Sequence, residues 1–222
     1  MSRDGATTTG VVLAGGDSTR FGQAEKATAT VAGRAMVDHA VAAHHEATGH
    51  RVVVAGGSPA KCDRLAPAID APVTFVTDPP GFGGPLAGLV AAARTVRTPT
   101  VVVSACDMPL VSPGPLRWLT RVWHRCPAAV DAVVPRDETG TSQPLLGLYD
   151  AAVLADPPVG GDASLREVLD ALTVQHVSPA DEPAGCSLAR ATTNVNTARE
   201  LAALAREAGG LDGEGARAGC RC

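Results

Sequence analysis

The sequence predicts one α/β domain built on a doubly wound, mostly parallel sheet, and three observations predict it. Short β-branched runs alternate with alanine-rich helical stretches through the first half of the chain. Hydrophobic residues make up 45% of the 222 residues but aromatics only 3%, so the interior must be built from Ala, Val and Leu. No internal repeat and no linker divides the chain, so one core is expected over residues 10–208, after a flexible lead-in at 1–9.

The elements follow in order. Val11-Val12-Leu13 is an apolar run suited to a buried strand, and Gly15-Gly16 ends it. Ala35 to Ala47 has a helical pattern, and Arg51 to Ala55 reads as a second buried strand closed by Gly56-Gly57. A helix starting near Pro59 leads to a strand at Val73 to Val76, then a Pro/Gly loop from Asp78 to Pro85 and a helix reaching Val96. Thr100 to Ala105 is the most strand-like segment, and it runs into Cys106-Asp107-Met108-Pro109. The second half is expected to cap the sheet: a helix at Pro115 to Arg125, strands at Ala132 to Pro135 and Leu145 to Tyr149, a helix at Ser164 to Leu172 and a strand at Thr173 to Val177. After a last helix from Thr197 to Ala208, residues 209–222 carry five glycines and almost nothing to bury, so this tail is expected to be disordered.

Composition excludes several partners. A formal charge of −4 gives no basic face for nucleic acid. No apolar stretch approaches the ~18 residues of a membrane span, and Met1 to Thr9 lacks a signal-peptide core, so a cytoplasmic location is expected. The six cysteines, at 62, 106, 126, 186, 220 and 222, lack paired C-x-x-C spacing, which favours reduced, mostly buried thiols; Cys220 and Cys222 fall in the tail. His39, His44, His45 and His50 do not present an i, i+4 ligand pair from His39 to His44, and they read as a solvated helix face.

In open parallel sheets ligands bind outside the carboxyl ends of the strands, where this chain places the Gly15-Gly16 loop, Asp78 and Asp107. Residues without Cβ let a phosphate or a base edge approach main-chain N–H groups. Arg20 and Lys26, the latter one of only two lysines in the chain, add the positive charge a triphosphate needs. A single carboxylate beside phosphates, Asp107, suits Mg²⁺, which keeps several waters and takes other ligands from its substrate; capping the next turn is the plainer role for the same residue. After Gly15-Gly16 the next glycine is Gly22, so neither G-x-G-x-x-G nor G-x-x-x-x-G-K-[ST] is present.

The run from Leu13 to Lys26 resembles the L-A-G-G-x-S-x-R-x-G-x-x-x-K signature of nucleotidyltransferases, specifically the molybdenum cofactor guanylyltransferase family. The resemblance continues in Gly84-Pro-Leu-Ala-Gly88, Cys106-Asp-Met-Pro109, Gln143-Pro-Leu145 and Asn194-Val-Asn-Thr197, in family order. It implies a Rossmann-like nucleotidyltransferase that moves GMP from GTP to the terminal phosphate of molybdopterin or its molybdenum-bearing form, with Mg²⁺ as cofactor and pyrophosphate as co-product. It further implies that Leu13, Ala14, Gly15 and Gly16 hold the guanine and ribose, Arg20 and Lys26 the triphosphate, and Asp107 the metal. Asp78 would contact the nucleotide, and Gln143, Asn194 and Asn196 would face the pterin; a molybdopterin-delivering protein is a further possible partner of such an enzyme. Asn194 to Thr197 can also cap the last helix, and Gln143 can be an ordinary polar residue entering a strand.

Two positions depart from the family pattern: Ala55-Gly56-Gly57 stands where relatives commonly carry an Asn after the second strand, and Asp17 adds negative charge beside Gly16. Three rival readings call for different residues. A molybdopterin cytidylyltransferase would carry Ala-Gly at the Gly15-Gly16 position and lack a clear G-P-L-A-G. An adenosylcobinamide-phosphate guanylyltransferase would share the first loop but not the Cys106 and Gln143 blocks. A nucleotide-binding protein without catalysis would have no need to keep both Lys26 and Asp107.

Overall fold

A computed structural model describes residues 7–16, 26–197, 199–204 and 206. In chain order the elements are β1 (Thr8–Leu13), β2 (Thr30–Val31), β3 (Arg34–Ala35), α1 (Met36–Thr48), β4 (Val52–Gly57), α2 (Pro59–Leu65), β5 (Val73–Thr77), α3 (Gly84–Thr95) and β6 (Thr100–Ala105). There follow α4 (Pro113–Arg125), β7 (Ala132–Pro135), β8 (Leu146–Asp150), α5 (Ala151–Ala155), α6 (Leu165–Ala171), β9 (Val174–Val177) and α7 (Leu188–Ala191). Residues 199–204 and 206 are helical.

Seven strands form one sheet in the order β5-β4-β1-β6-β8-β7-β9, and β2 pairs with β3 in a small hairpin. Every neighbouring pair in the large sheet is parallel except those made by β8, which runs antiparallel to β6 and β7. The predicted mostly parallel α/β sheet is therefore present, but β7, β8 and β9 extend the sheet edgewise instead of capping it. The reason is local. Asp150 ends β8 and caps α5 by accepting from Ala152 and Val153, so the chain turns straight into a helix against the sheet. The β2–β3 hairpin, α5 and α7 went unread because each is shorter than a pattern of period two or 3.6 can register.

Alternation along the strands builds two cores. Val12 of β1, with Val54, Val102 and Val133, faces α1 and α4 through Val41, Leu116 and Leu119. Val11 and Leu13 point the other way, joining Val53, Val103 and Val134 against Leu89 of α3 and Leu154 of α5. Each fully buried Val or Leu contributes about 1.5–3 kcal/mol, so this double layer holds the strand ends rigidly in place. Chain direction carries β1, β4 and β5 to one side and then returns to β6 on the other side of β1. The carboxyl ends of β1 and β6 thus flank the switch point at which an open α/β sheet leaves a crevice.

His44 corrects one expectation. It is fully buried, not part of a solvated face, because Gly10 on β1 leaves room beneath it: a Cβ at position 10 would lie 2.7 Å from the Cβ of His44. Its Nε2 pairs with the Ser104 hydroxyl at 2.9 Å, and burial pushes its pKa down to about 3. His39 is half-buried, its Nε2 within 2.8 Å of the Val31 carbonyl. Of the cysteines, Cys62 is buried and Cys106, Cys126 and Cys186 are partly so, all as free thiols. No helix among the described residues is long and apolar enough to cross a membrane.

Candidate active site

The crevice at the switch point is a cleft of about 660 Å³, a size typical of small-molecule sites. Leu13, Ala14, Gly15 and Gly16 line it, as do Lys26, Asp78 and Asp107. Main-chain bonds explain why they meet. The Ala14 N–H donates to Ala55 at 2.8 Å and the Cys106 N–H donates to Leu13 at 2.9 Å, so the loops leaving β1, β4 and β6 are laced together. A register irregularity between Ala55 and Gly57 lifts the end of β4 toward the glycine loop. Gly57 has φ +81°, and a Cβ there would meet the Cα and carbonyl of Gly15 at 3.2 Å. Only glycine at 57 allows both the left-handed turn and this close approach.

One end of the cleft is built on charge. Lys26 Nζ lies 2.8 Å from Asp107 Oδ2 and donates to Asn196 Oδ1 at 3.0 Å. Asp107 Oδ1 is buried and has no hydrogen-bond partner among the described residues. A buried carboxylate oxygen left without a donor costs about 1–3 kcal/mol, which a bound cation would recover. Asp107 also holds the later chain, since its carbonyl accepts from the Val195 N–H at 2.9 Å. Val195 is buried against Val31 and Met36 while Asn194 and Asn196 are exposed, so the Asn-Val-Asn segment docks by its central residue. Thr197 then caps the last helix by accepting from the Glu200 N–H at 3.2 Å, so capping coexists with the Asn196 contact to Lys26.

The other end is built on backbone. Asp78 donates its N–H to the Gly57 carbonyl at 3.0 Å, and its carboxylate lies beside Gly57. Desolvation raises the Asp78 carboxyl above the usual range, and the nearby Lys61 ammonium partly offsets this. Lys61, the second lysine of the chain, lines the same end and donates from Nζ to the Gly16 carbonyl at 2.6 Å.

Not every predicted residue reaches the cleft. Gln143, Asn194 and Asn196 are not among its lining residues, although Asn196 accepts from Lys26, which is. The Gln143 amide donates to Asp137 Oδ2 at 2.9 Å, closing a turn in which Asp137 also accepts from the Thr139 hydroxyl. The Thr139 hydroxyl first, and then the Thr141 N–H, holds the Asp137 carboxyl below its ordinary range. Leu145, two residues on, does line the cleft, and Tyr149 fixes that bend by donating its hydroxyl to Pro144 at 2.6 Å. Arg20 and Asp17, along with Cys220, Cys222 and the 209–222 tail, lie outside the described residues. Lys61 was missed by sequence reasoning, although a signal existed: it stands at the third position of α2, where a cation opposes the helix dipole, directly after the Gly56-Gly57 strand end.

Residues 10–180 match the family described as MobA-like NTP transferase domain. The chain belongs to that family. As a MobA-like NTP transferase it is a nucleotidyltransferase, and its sheet is the one that family uses. A molybdenum cofactor guanylyltransferase of Ralstonia nicotianae is 31% identical over 204 residues, covering 89% of this chain and 95% of that protein. Among solved structures, the molybdopterin-guanine dinucleotide biosynthesis protein A of Archaeoglobus fulgidus superposes with a TM-score of 0.73 at 23% identity, over 91% of this chain and 99% of that one. A Mycobacterium tuberculosis protein solved in complex with manganese superposes at 0.62 and 23% identity, over 90% and 98% of the two chains.

Proposed function

We propose that the protein transfers GMP from GTP to the terminal phosphate of molybdopterin, or of its molybdenum-bearing form, releasing pyrophosphate. The observation that carries this reading is the meeting of the Gly15-Gly16 backbone with Lys26 and with Asp107, whose Oδ1 has no partner among the described residues, at the ends of β1 and β6. Relatives named for guanylyl transfer into the same cofactor support the choice of substrates.

No protein nucleophile is needed, because the attacking atom is a phosphate oxygen of the acceptor. It forms a bond to the α-phosphorus of GTP as the bond to the α–β bridging oxygen breaks, and the electron pair leaves on pyrophosphate. The chain must align two anions and offset charge on the leaving group. Lys26 is placed to do so, turning from Asp107 toward the phosphates; Arg20 is the second cation by sequence alone. Asp107 would hold Mg²⁺, which when bound withdraws charge from the phosphate oxygens. Leu13 to Gly16 hold guanine and ribose by main-chain groups, and Asp78 contacts the nucleotide. Asn196 orients Lys26 and, with Asn194, borders the pterin side, while Gln143 acts there only by holding the turn that leads to Leu145 in the cleft wall. The compartment is the cytoplasm, and a separate protein delivering molybdopterin fits a site open to solvent.

Ligand protection tests the nucleotide assignment. GTP with Mg²⁺ raises the melting temperature, because a ligand that binds only the native state must stabilise it. Protection by CTP with none by GTP contradicts the proposal.

A further inference from the structure

Lys61 is an unusual residue for the mechanism above to leave idle. Its residue is only 6% exposed, it stands in the first turn of α2, and it forms part of the cleft wall. Burying a lysine stem and ammonium beside a helix N-terminus is unfavourable unless an acceptor repays it. The Gly16 carbonyl at 2.6 Å is one such acceptor, and the Asp78 carboxylate is close enough to feel the charge.

The cleft therefore holds two Lys–Asp pairs with different surroundings. At the Lys26 end the carboxylate has a buried oxygen without a partner among the described residues, which suits a cation and the phosphates that accompany it. At the Lys61 end Gly15 and Gly57 pack backbone against backbone, so the cleft wall there is a continuous stretch of main chain. A wall of bare backbone lets a planar ring lie close against it, and the Asp78 carboxylate repels a phosphate but accepts from N–H groups.

We propose that Lys61 reads the nucleotide base, its ammonium donating to O6 of guanine while the Asp78 carboxylate accepts from N1–H and the 2-amino group. This rests on the guanylyl reading and gives it a side-chain basis for choosing the base. The pattern of one donor beside one double acceptor matches guanine. Adenine presents an amino group where the ammonium would sit, and cytosine presents ring acceptors toward the carboxylate, so both meet like against like. Lys61 also pins Gly16, so the same side chain sets the position of the loop and the identity of the ligand.

The test compares binding of GTP, of 2-aminopurine riboside triphosphate, which lacks O6, and of CTP, by calorimetry on the full chain and on Lys61→Met. The loss of N1–H in the analogue affects both proteins alike through Asp78. Lys61→Met is expected to weaken GTP by about ten- to a hundredfold and the analogue hardly at all, the size of a charged hydrogen bond. Equal weakening of both nucleotides would make Lys61 a loop-positioning residue and overturn the proposal. If Lys61→Met fails to fold, Lys61→Gln, which can still donate to Gly16, carries the same comparison. In the unaltered protein a preference for GTP over the analogue of less than ~3-fold also overturns it, because no charged contact to O6 is that weak. Binding of CTP with none of GTP overturns both this assignment and the guanylyl reading, whereas GTP binding with no Lys61 effect strikes this assignment alone.

Discussion

The two lysine–aspartate pairs of the cleft share their residue types and differ in everything else. Lys26 and Asp107 touch directly at 2.8 Å, Lys26 at the start of a short 3-10 turn and Asp107 just past the end of β6. Lys61 and Asp78 each bond first to main chain, at Gly16 and Gly57, and sense one another only through space. A directly paired ammonium and carboxylate, with one carboxylate oxygen unpartnered among the described residues, is poised to exchange partners when phosphates and a cation arrive. Two charges anchored to backbone are fixed, and fixed groups discriminate where exchangeable ones neutralise.

Removing Asp107 should have the largest effect. Asp107→Asn keeps the shape but removes the charge, and turnover should fall by about 10²–10³ or more, with Mn²⁺ binding measured by electron paramagnetic resonance lost in parallel. Unchanged turnover would break the division between the two ends. Lys26→Met should lower kcat/KM by about 10² while leaving the choice between GTP and CTP intact, a contrast that steady-state kinetics with both nucleotides resolves. Gly57→Ala should act at the opposite end. With φ +81° and 3.2 Å to Gly15, it should raise KM for GTP and cost about 1–2 kcal/mol in denaturant unfolding, with a smaller change in kcat.

The strand ends were legible in the sequence because a buried parallel strand is a β-branched run and whatever terminates it stands out; Gly15, Asp78 and Asp107 were all found that way. Lys61 was not, since it sits inside an ordinary short helix and only the folded chain shows its ammonium returning to Gly16. The strand β8 was legible as Leu145 to Tyr149, but its antiparallel direction was not, for a similar reason: strand direction is decided by connection geometry, and Asp150 capping α5 carries no periodic signal. Gln143 illustrates the converse, a motif residue whose side chain serves the Asp137 turn and reaches the cleft only through its neighbour Leu145.

His44, remote from either pair, supplies a smaller and independent test. Its pKa is about 3 folded against 6.5 for the free side chain, so the unfolded chain binds the proton more readily. Its contribution is complete above pH 6.5 and declines as pH falls below it, by about 1.4 kcal/mol per unit. Urea titrations between pH 7 and 5 should show that slope, and His44→Gln should flatten it. Asn194→Ala should have the smallest effect, leaving GTP affinity unchanged by calorimetry, because Asn194 lies off the cleft while Asn196 reaches Lys26.

The central claim is the reaction. Incubation of the full chain with molybdopterin, Mg²⁺ and each of the four nucleoside triphosphates in turn, followed by detection of the dinucleotide and of pyrophosphate, tests it most directly. The account predicts product from GTP, dependent on the metal and absent in Asp107→Asn; product from CTP and none from GTP would contradict it.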